Sequence, residues 1–186
     1  MMFRAVQLKA VLCSVVFGTL LGAALAAEFR SRPPHIHGQA TLDIAIEGPV
    51  LGITFRAPAI NVLGFEHAPA TPAEVSSVAS ARATFQAGDR LFLTPAKASC
   101  AQKSARFTPI TYETEGDDDK PDAPQADYEV TYEFVCARPA ALTSIDTTLF
   151  ESLRNAEKIT VNIVAQNLQT QRALTPPEQH IALRAE

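Results

Sequence analysis

The chain has 186 residues, 47% hydrophobic and 19% charged, with a formal net charge of −4. That length supports one domain with a core of its own and is short for two. The negative balance excludes a basic nucleic-acid footprint, and only one long apolar run exists, which excludes a polytopic membrane protein.

That run opens the chain. Arg4 and Lys9 flank a charge-free stretch from Ala10 to Leu25, closed by Ala24-Leu25-Ala26. A positive start, an apolar middle and a small-x-small end predict a cleaved signal peptide over 1–26, with a retained anchor as the alternative. Its removal takes two bases, leaving 14 against 20 acids and a single globular domain over 27–186. Export and an even count of remaining cysteines, Cys100 and Cys136, predict a disulfide; a thiol pair on a metal is the alternative. The bridge would close a loop of about 37 residues.

Glu28 to Pro34 reads as a lead-in. From Gln39, Leu42, Ile44 and Ile46 alternate with Thr41, Asp43 and Glu47, a half-buried strand. Gly48-Pro49 turns it into a second strand carrying Leu51, Ile53 and Phe55. Ala57 to Pro69 is irregular. Thr71-Pro72-Ala73-Glu74 is a capping box with proline in the first helical turn, so a helix is expected over 72–87, with Val75, Val78, Ala79 and Phe85 as its apolar stripe and Gly88 as its stop.

Residues 99–111 read as extended. In the clearest strand, Tyr128, Val130, Tyr132, Phe134 and Cys136 share the core face. Residues 143–150 form another strand and 150–157 a short helix or turn. Ile159, Val161, Ile163 and Ala165 alternate in a further strand that turns near 167–169 into 171–174, and 181–183 follows Pro176-Pro177 as the last. Six to eight strands and one main helix predict an α+β fold on an antiparallel sheet. Between Glu115 and Asp127 six acids face a single Lys120, which predicts a mobile acidic loop; its oxygens suit calcium or magnesium better than zinc, and it lacks EF-hand spacing.

The chain has four histidines. His35 and His37 stand two apart before the first strand. On extended backbone both side chains share a face, with Cα atoms about 6–7 Å apart, and two imidazoles there can converge on zinc or copper. His67 lies in the loop before the helix, next to Glu66, which would serve as a further ligand or orient an imidazole. His180 has no companion. Gly-x-Ser-x-Gly, His-Glu-x-x-His and phosphate-loop motifs are absent from the sequence. A non-enzymatic role is expected, with a zinc hydrolase the weaker reading.

Three segments taken together resemble a known family: Pro34 to Ala40, Leu42 to Gly48, and Ala57 to Pro69 with its Gly64-Phe65-Glu66-His67-Ala68-Pro69 core. They are similar to the ZrgA-like periplasmic zinc-binding proteins, and Cys136 to Leu142 followed by Phe150-Glu151 fits that family's second half. The resemblance implies a periplasmic accessory protein that captures zinc and assists its uptake beside a zinc importer or its binding protein. It carries the family's motifs onto His35, His37, Glu66 and His67 as zinc ligands. Many members hold a long histidine-rich loop between the two cysteines, where this chain has its acidic stretch. Binding needs neutral imidazoles, so affinity is expected to fall below about pH 6.5. The rival expectation is an exported module without metal, whose sheet face and acidic loop dock a partner protein.

Overall fold

The computed structural model describes residues 36–108, 110 and 126–184. The signal segment, His35 and the acidic stretch up to residue 125 lie outside them.

Alternation builds the first hairpin. Strand β1 (Gln39–Glu47) and strand β2 (Val50–Pro58) pair antiparallel, with Ile44 opposite Ile53 and Leu42 opposite Phe55. Gly48 takes the turn with φ +55°, a conformation that favours glycine. β2 continues to Pro58, and a short helix α1 (Ala59–Leu63) follows where irregular chain is expected. Its apolar residues Ala59, Val62 and Leu63 are buried; five residues carry too little periodicity to announce a helix.

Helix α2 (Pro72–Gln86) starts as its capping box dictates. Thr71 Oγ1 accepts the Glu74 N–H, and the Glu74 carboxylate accepts the Thr71 N–H. Its apolar stripe is thinner than expected: Phe85 is buried, while Val75 is 57% exposed. Gly88 does not stop the helix by adopting a left-handed cap. Ala87 ends α2, and Gly88 opens a single turn, α3 (Gly88–Leu91). The glycine is needed for close approach, since a Cβ there would come within 2.5 Å of the Tyr132 ring.

A two-residue strand β3 (Phe92–Leu93) leads to β4 (Cys100–Phe107), which pairs with β5 (Asp127–Cys136). Tyr128, Val130, Tyr132, Phe134 and Cys136 of β5 are all buried, as their alternation requires. Cys100 and Cys136 are register partners and form a disulfide. Then come β6 (Ser144–Thr147), a helical turn α4 (Leu149–Ser152), β7 (Lys158–Ala165), β8 (Leu168–Leu174) and β9 (His180–Ala182).

The strands form two sheets. One has six strands in the order β4-β5-β2-β1-β7-β8, the other three in the order β3-β6-β9. The larger sheet is mixed, because β1 and β7 run parallel, with Leu42 opposite Val161. The purely antiparallel expectation is thereby corrected. Hairpin signals report pairs adjacent in sequence, and the β1–β7 pair joins strands more than a hundred residues apart. The core packs Leu42, Ile44, Leu51, Ile53 and Phe55 with Ile159, Val161 and Ile163, and includes the aromatic contacts Phe55–Phe85 at 5.0 Å and Phe92–Tyr132 at 5.1 Å. Among the described residues no helix is long and apolar enough to cross a membrane.

Candidate metal site

The turn before β1 is tied to helix α1 through one buried side chain. Asn61, 3% exposed in α1, accepts the Gly38 N–H on Oδ1 at 3.1 Å and donates from Nδ2 to the Gln39 carbonyl at 3.0 Å. Its own carbonyl accepts the Arg154 N–H at 2.6 Å. The Gly38 carbonyl accepts two further N–H groups, from Glu157 at 2.7 Å and Lys158 at 3.2 Å. Gly38 itself has φ +79° and packs on the Asn155 carbonyl, where a Cβ would stand 3.3 Å away. The turn that carries His37 is therefore pinned to α1 on one side and to the start of β7 on the other.

Helix α1 ends at Gly64 in the left-handed region, its N–H bonded to the Ile60 carbonyl at 3.0 Å. The chain then runs into Phe65, Glu66 and His67. Glu66 keeps 19% of its side chain exposed, and its Oε2 lies 3.2 Å from His37 Nε2. The fold thus brings together two of the sequence-derived candidates, 29 residues apart in the chain.

His67 turns elsewhere. Its ring stacks on Phe65 with centroids 5.1 Å apart, its Nδ1 donates to the Ala68 carbonyl at 3.0 Å, and its Nε2 lies 3.5 Å from Glu74 Oε1. Glu74 Oε2 accepts the Ala70 and Thr71 N–H groups, each at 2.9 Å. Those two donors, Ala70 first, hold the Glu74 carboxyl below the usual carboxylate range, because they stabilise its ionised form. His180 pairs with Asp146 across β9 and β6 of the small sheet, Nδ1 to Oδ1 at 2.6 Å. Imidazole nitrogen and carboxylate oxygen are both zinc donors, so His37 with Glu66 and His67 with Glu74 fit the ion chemically. Among the described residues, no three His, Cys, Asp or Glu side chains are grouped closely enough to share a metal ion.

Two participants escaped the sequence reading. Asn61 was visible only as a lone amide in the apolar run from Ala57 to Leu63. Glu74 was visible only as the closing residue of a capping box.

Fold and site together define a sheet-rich α+β protein with imidazole–carboxylate pairs formed by the turn before β1, the loop after α1 and the first turn of α2. The chain belongs to the ZrgA family of zinc uptake proteins, whose family model matches residues 34–183. The match takes in both loops and both cysteines. A comparison with curated proteins gives no match.

Proposed function

We propose that this protein is a periplasmic, non-enzymatic accessory of zinc uptake. It is exported behind residues 1–26, folds as one domain over 27–186, captures zinc at the His35–His37 turn and the Glu66–His67 loop, and passes it toward an importer or the importer's binding protein. Zinc is the cargo. His35, His37 and His67 supply neutral imidazole nitrogen, and Glu66 supplies the anionic oxygen.

The observation that carries this reading is the meeting of His37 Nε2 and Glu66 Oε2 at 3.2 Å. Two ligands of a tetrahedral zinc ion, each about 2.0–2.1 Å from the metal, stand about 3.3 Å apart. The pair therefore already has the spacing of one edge of a zinc tetrahedron. Membership of a zinc uptake family supports zinc as the metal, and the disulfide between Cys100 and Cys136 favours an oxidising compartment.

Calorimetric titration with zinc tests the reading. Protein purified without chelator is expected to carry zinc, and His37→Ala to bind it at least tenfold more weakly with little change in Tm, since the imidazole is mostly exposed. Unchanged affinity in His37→Ala would remove this pair from the site.

A further inference from the structure

Glu74 lies outside every motif that points to zinc, yet its two oxygens have different neighbours. Oε2 takes the N–H groups of Ala70 and Thr71 and so fixes the carboxylate in the first turn of α2. Oε1 is left facing His67, 3.5 Å from Nε2. That separation exceeds the 2.7–3.2 Å of a good N–H···O bond and lies near the ligand–ligand edge, about 3.3 Å, of a tetrahedral zinc ion.

The His67 ring is oriented as well. The Ala68 carbonyl can only accept, so the 3.0 Å contact places a proton on Nδ1. A neutral ring then offers Nε2 as a lone pair. That lone pair faces a carboxylate oxygen: two acceptors held toward each other by separate anchors, the Ala68 carbonyl with the Phe65 stack on one side and the capping box on the other. A divalent cation is a partner that both can serve at once.

We propose that His67 Nε2 and Glu74 Oε1 form a zinc seat of their own, with water in the remaining positions. The inference rests on the zinc reading above and deepens it: it adds Glu74 as a ligand and separates His67 from the His37–Glu66 pair. Its Nδ1–carbonyl bond is the arrangement by which proteins commonly fix the tautomer of a metal-binding histidine.

The test uses the purified whole protein and zinc chloride. Glu74→Gln keeps an amide oxygen for the Ala70 and Thr71 N–H groups but lacks the anionic oxygen. Thr71→Ala removes half of the cap and keeps the carboxylate. Expected is a loss of one zinc equivalent, or a tenfold weaker one, in Glu74→Gln and in His67→Ala, while Thr71→Ala lowers Tm and leaves zinc affinity within about threefold. Imidazole nitrogen NMR should show the His67 Nε2 signal moving with zinc in wild type and not in Glu74→Gln. Wild-type affinity in Glu74→Gln alongside weakened binding in His67→Ala would make Glu74 only the counter-ion of a protonated His67, and overturn the proposal while sparing the zinc reading. Equal zinc loss in Thr71→Ala would assign the effect to helix fraying and overturn it too. A wild-type protein that takes up no zinc would sink both.

Discussion

Replacing Asn61 by leucine asks how much of the site is held by one amide. Leucine keeps the number and branching of the side-chain heavy atoms, though its methyl groups are bulkier, and removes both polar groups. The Gly38 N–H and the Gln39 carbonyl then lose their partners where the chain is closed to solvent; Gly38 is buried and Gln39 half-buried. A buried polar backbone group left unmade costs about 1–3 kcal/mol. Gln39 sits toward the lower end because water can reach it, and the Gly38 carbonyl keeps its bonds to Glu157 and Lys158, so the turn does not melt outright. The expected loss is about 2–4 kcal/mol, or roughly 6–12 °C in Tm at the middle of that range for a domain of this size. Urea denaturation of Asn61→Leu beside wild type measures it. Zinc titration of the same variant should show weaker binding, because the turn carrying His37 is no longer fixed against Glu66. A stability loss below about 1 kcal/mol would refute the clamp, since neither backbone group would then have depended on Asn61.

Two further outcomes follow from the β4–β5 region. Replacing Cys100 and Cys136 together by serine should cost about 4 kcal/mol in urea denaturation, the chain-entropy value for a bridge with a sequence separation of 36, and wild type in strong reductant should match the variant. Burial pushes the Tyr132 and Tyr128 phenols well above their ordinary value of 10, so the folded chain keeps both protons while the unfolded chain loses them above pH 10. Their contribution is intact below pH 10 and is lost as pH climbs from there toward the folded values, by about 1.4 kcal/mol per pH unit for each tyrosine. Denaturation curves carried upward from pH 9 should steepen toward that slope, reaching half of it at pH 10 and most of it by pH 11. Tyr132→Phe should halve it, and should also lower neutral-pH stability by about 1 kcal/mol through loss of the 2.8 Å bond from Oη to the Phe85 carbonyl.

Sequence pattern disclosed what depends on near neighbours. The β1–β2 hairpin, the Thr71–Glu74 start of α2 and the inward face of β5 each follow from residues a few positions apart, and each stands as expected. The parallel pairing of β1 with β7 was hidden, because strand alternation states which face is buried and not which strand lies alongside. Gly88 misled for a related reason: a glycine at a helix end reads as a cap, whereas here it makes room for Tyr132, a residue 44 positions away. At the site, Glu66 and His37 were each visible as donors, but the bond network that joins them runs through Asn61, an amide with no chemical signature until the fold buries it. For His67 the sequence shows Glu66 next door, whereas the contact of its ring with Glu74 Oε1 at 3.5 Å is visible only in the folded loop, because the capping box already accounts for Glu74.

The two pairs share an asymmetry that bears on cargo handling. In each the imidazole is the outer partner and the carboxylate the inner one: His37 is 59% exposed against 19% for Glu66, and His67 61% against 23% for Glu74. A closed structural zinc site surrounds the ion with four protein ligands and gives it up slowly. Each of these pairs places a carboxylate beneath and a more exposed imidazole above, and two protein ligands leave the remaining positions open to water or a competing ligand. On the zinc reading, an incoming cation is drawn by the carboxylate and bound by the ring, and a competing ligand enters at the open positions to take it. The histidine count sets the capacity. There are four histidines in the chain, and His180 is engaged with Asp146 on the small sheet, which leaves His35, His37 and His67 for the zinc reading. On that reading three imidazoles suffice for one or two ions and are too few for bulk storage, so the proposed role is that of a carrier working ion by ion.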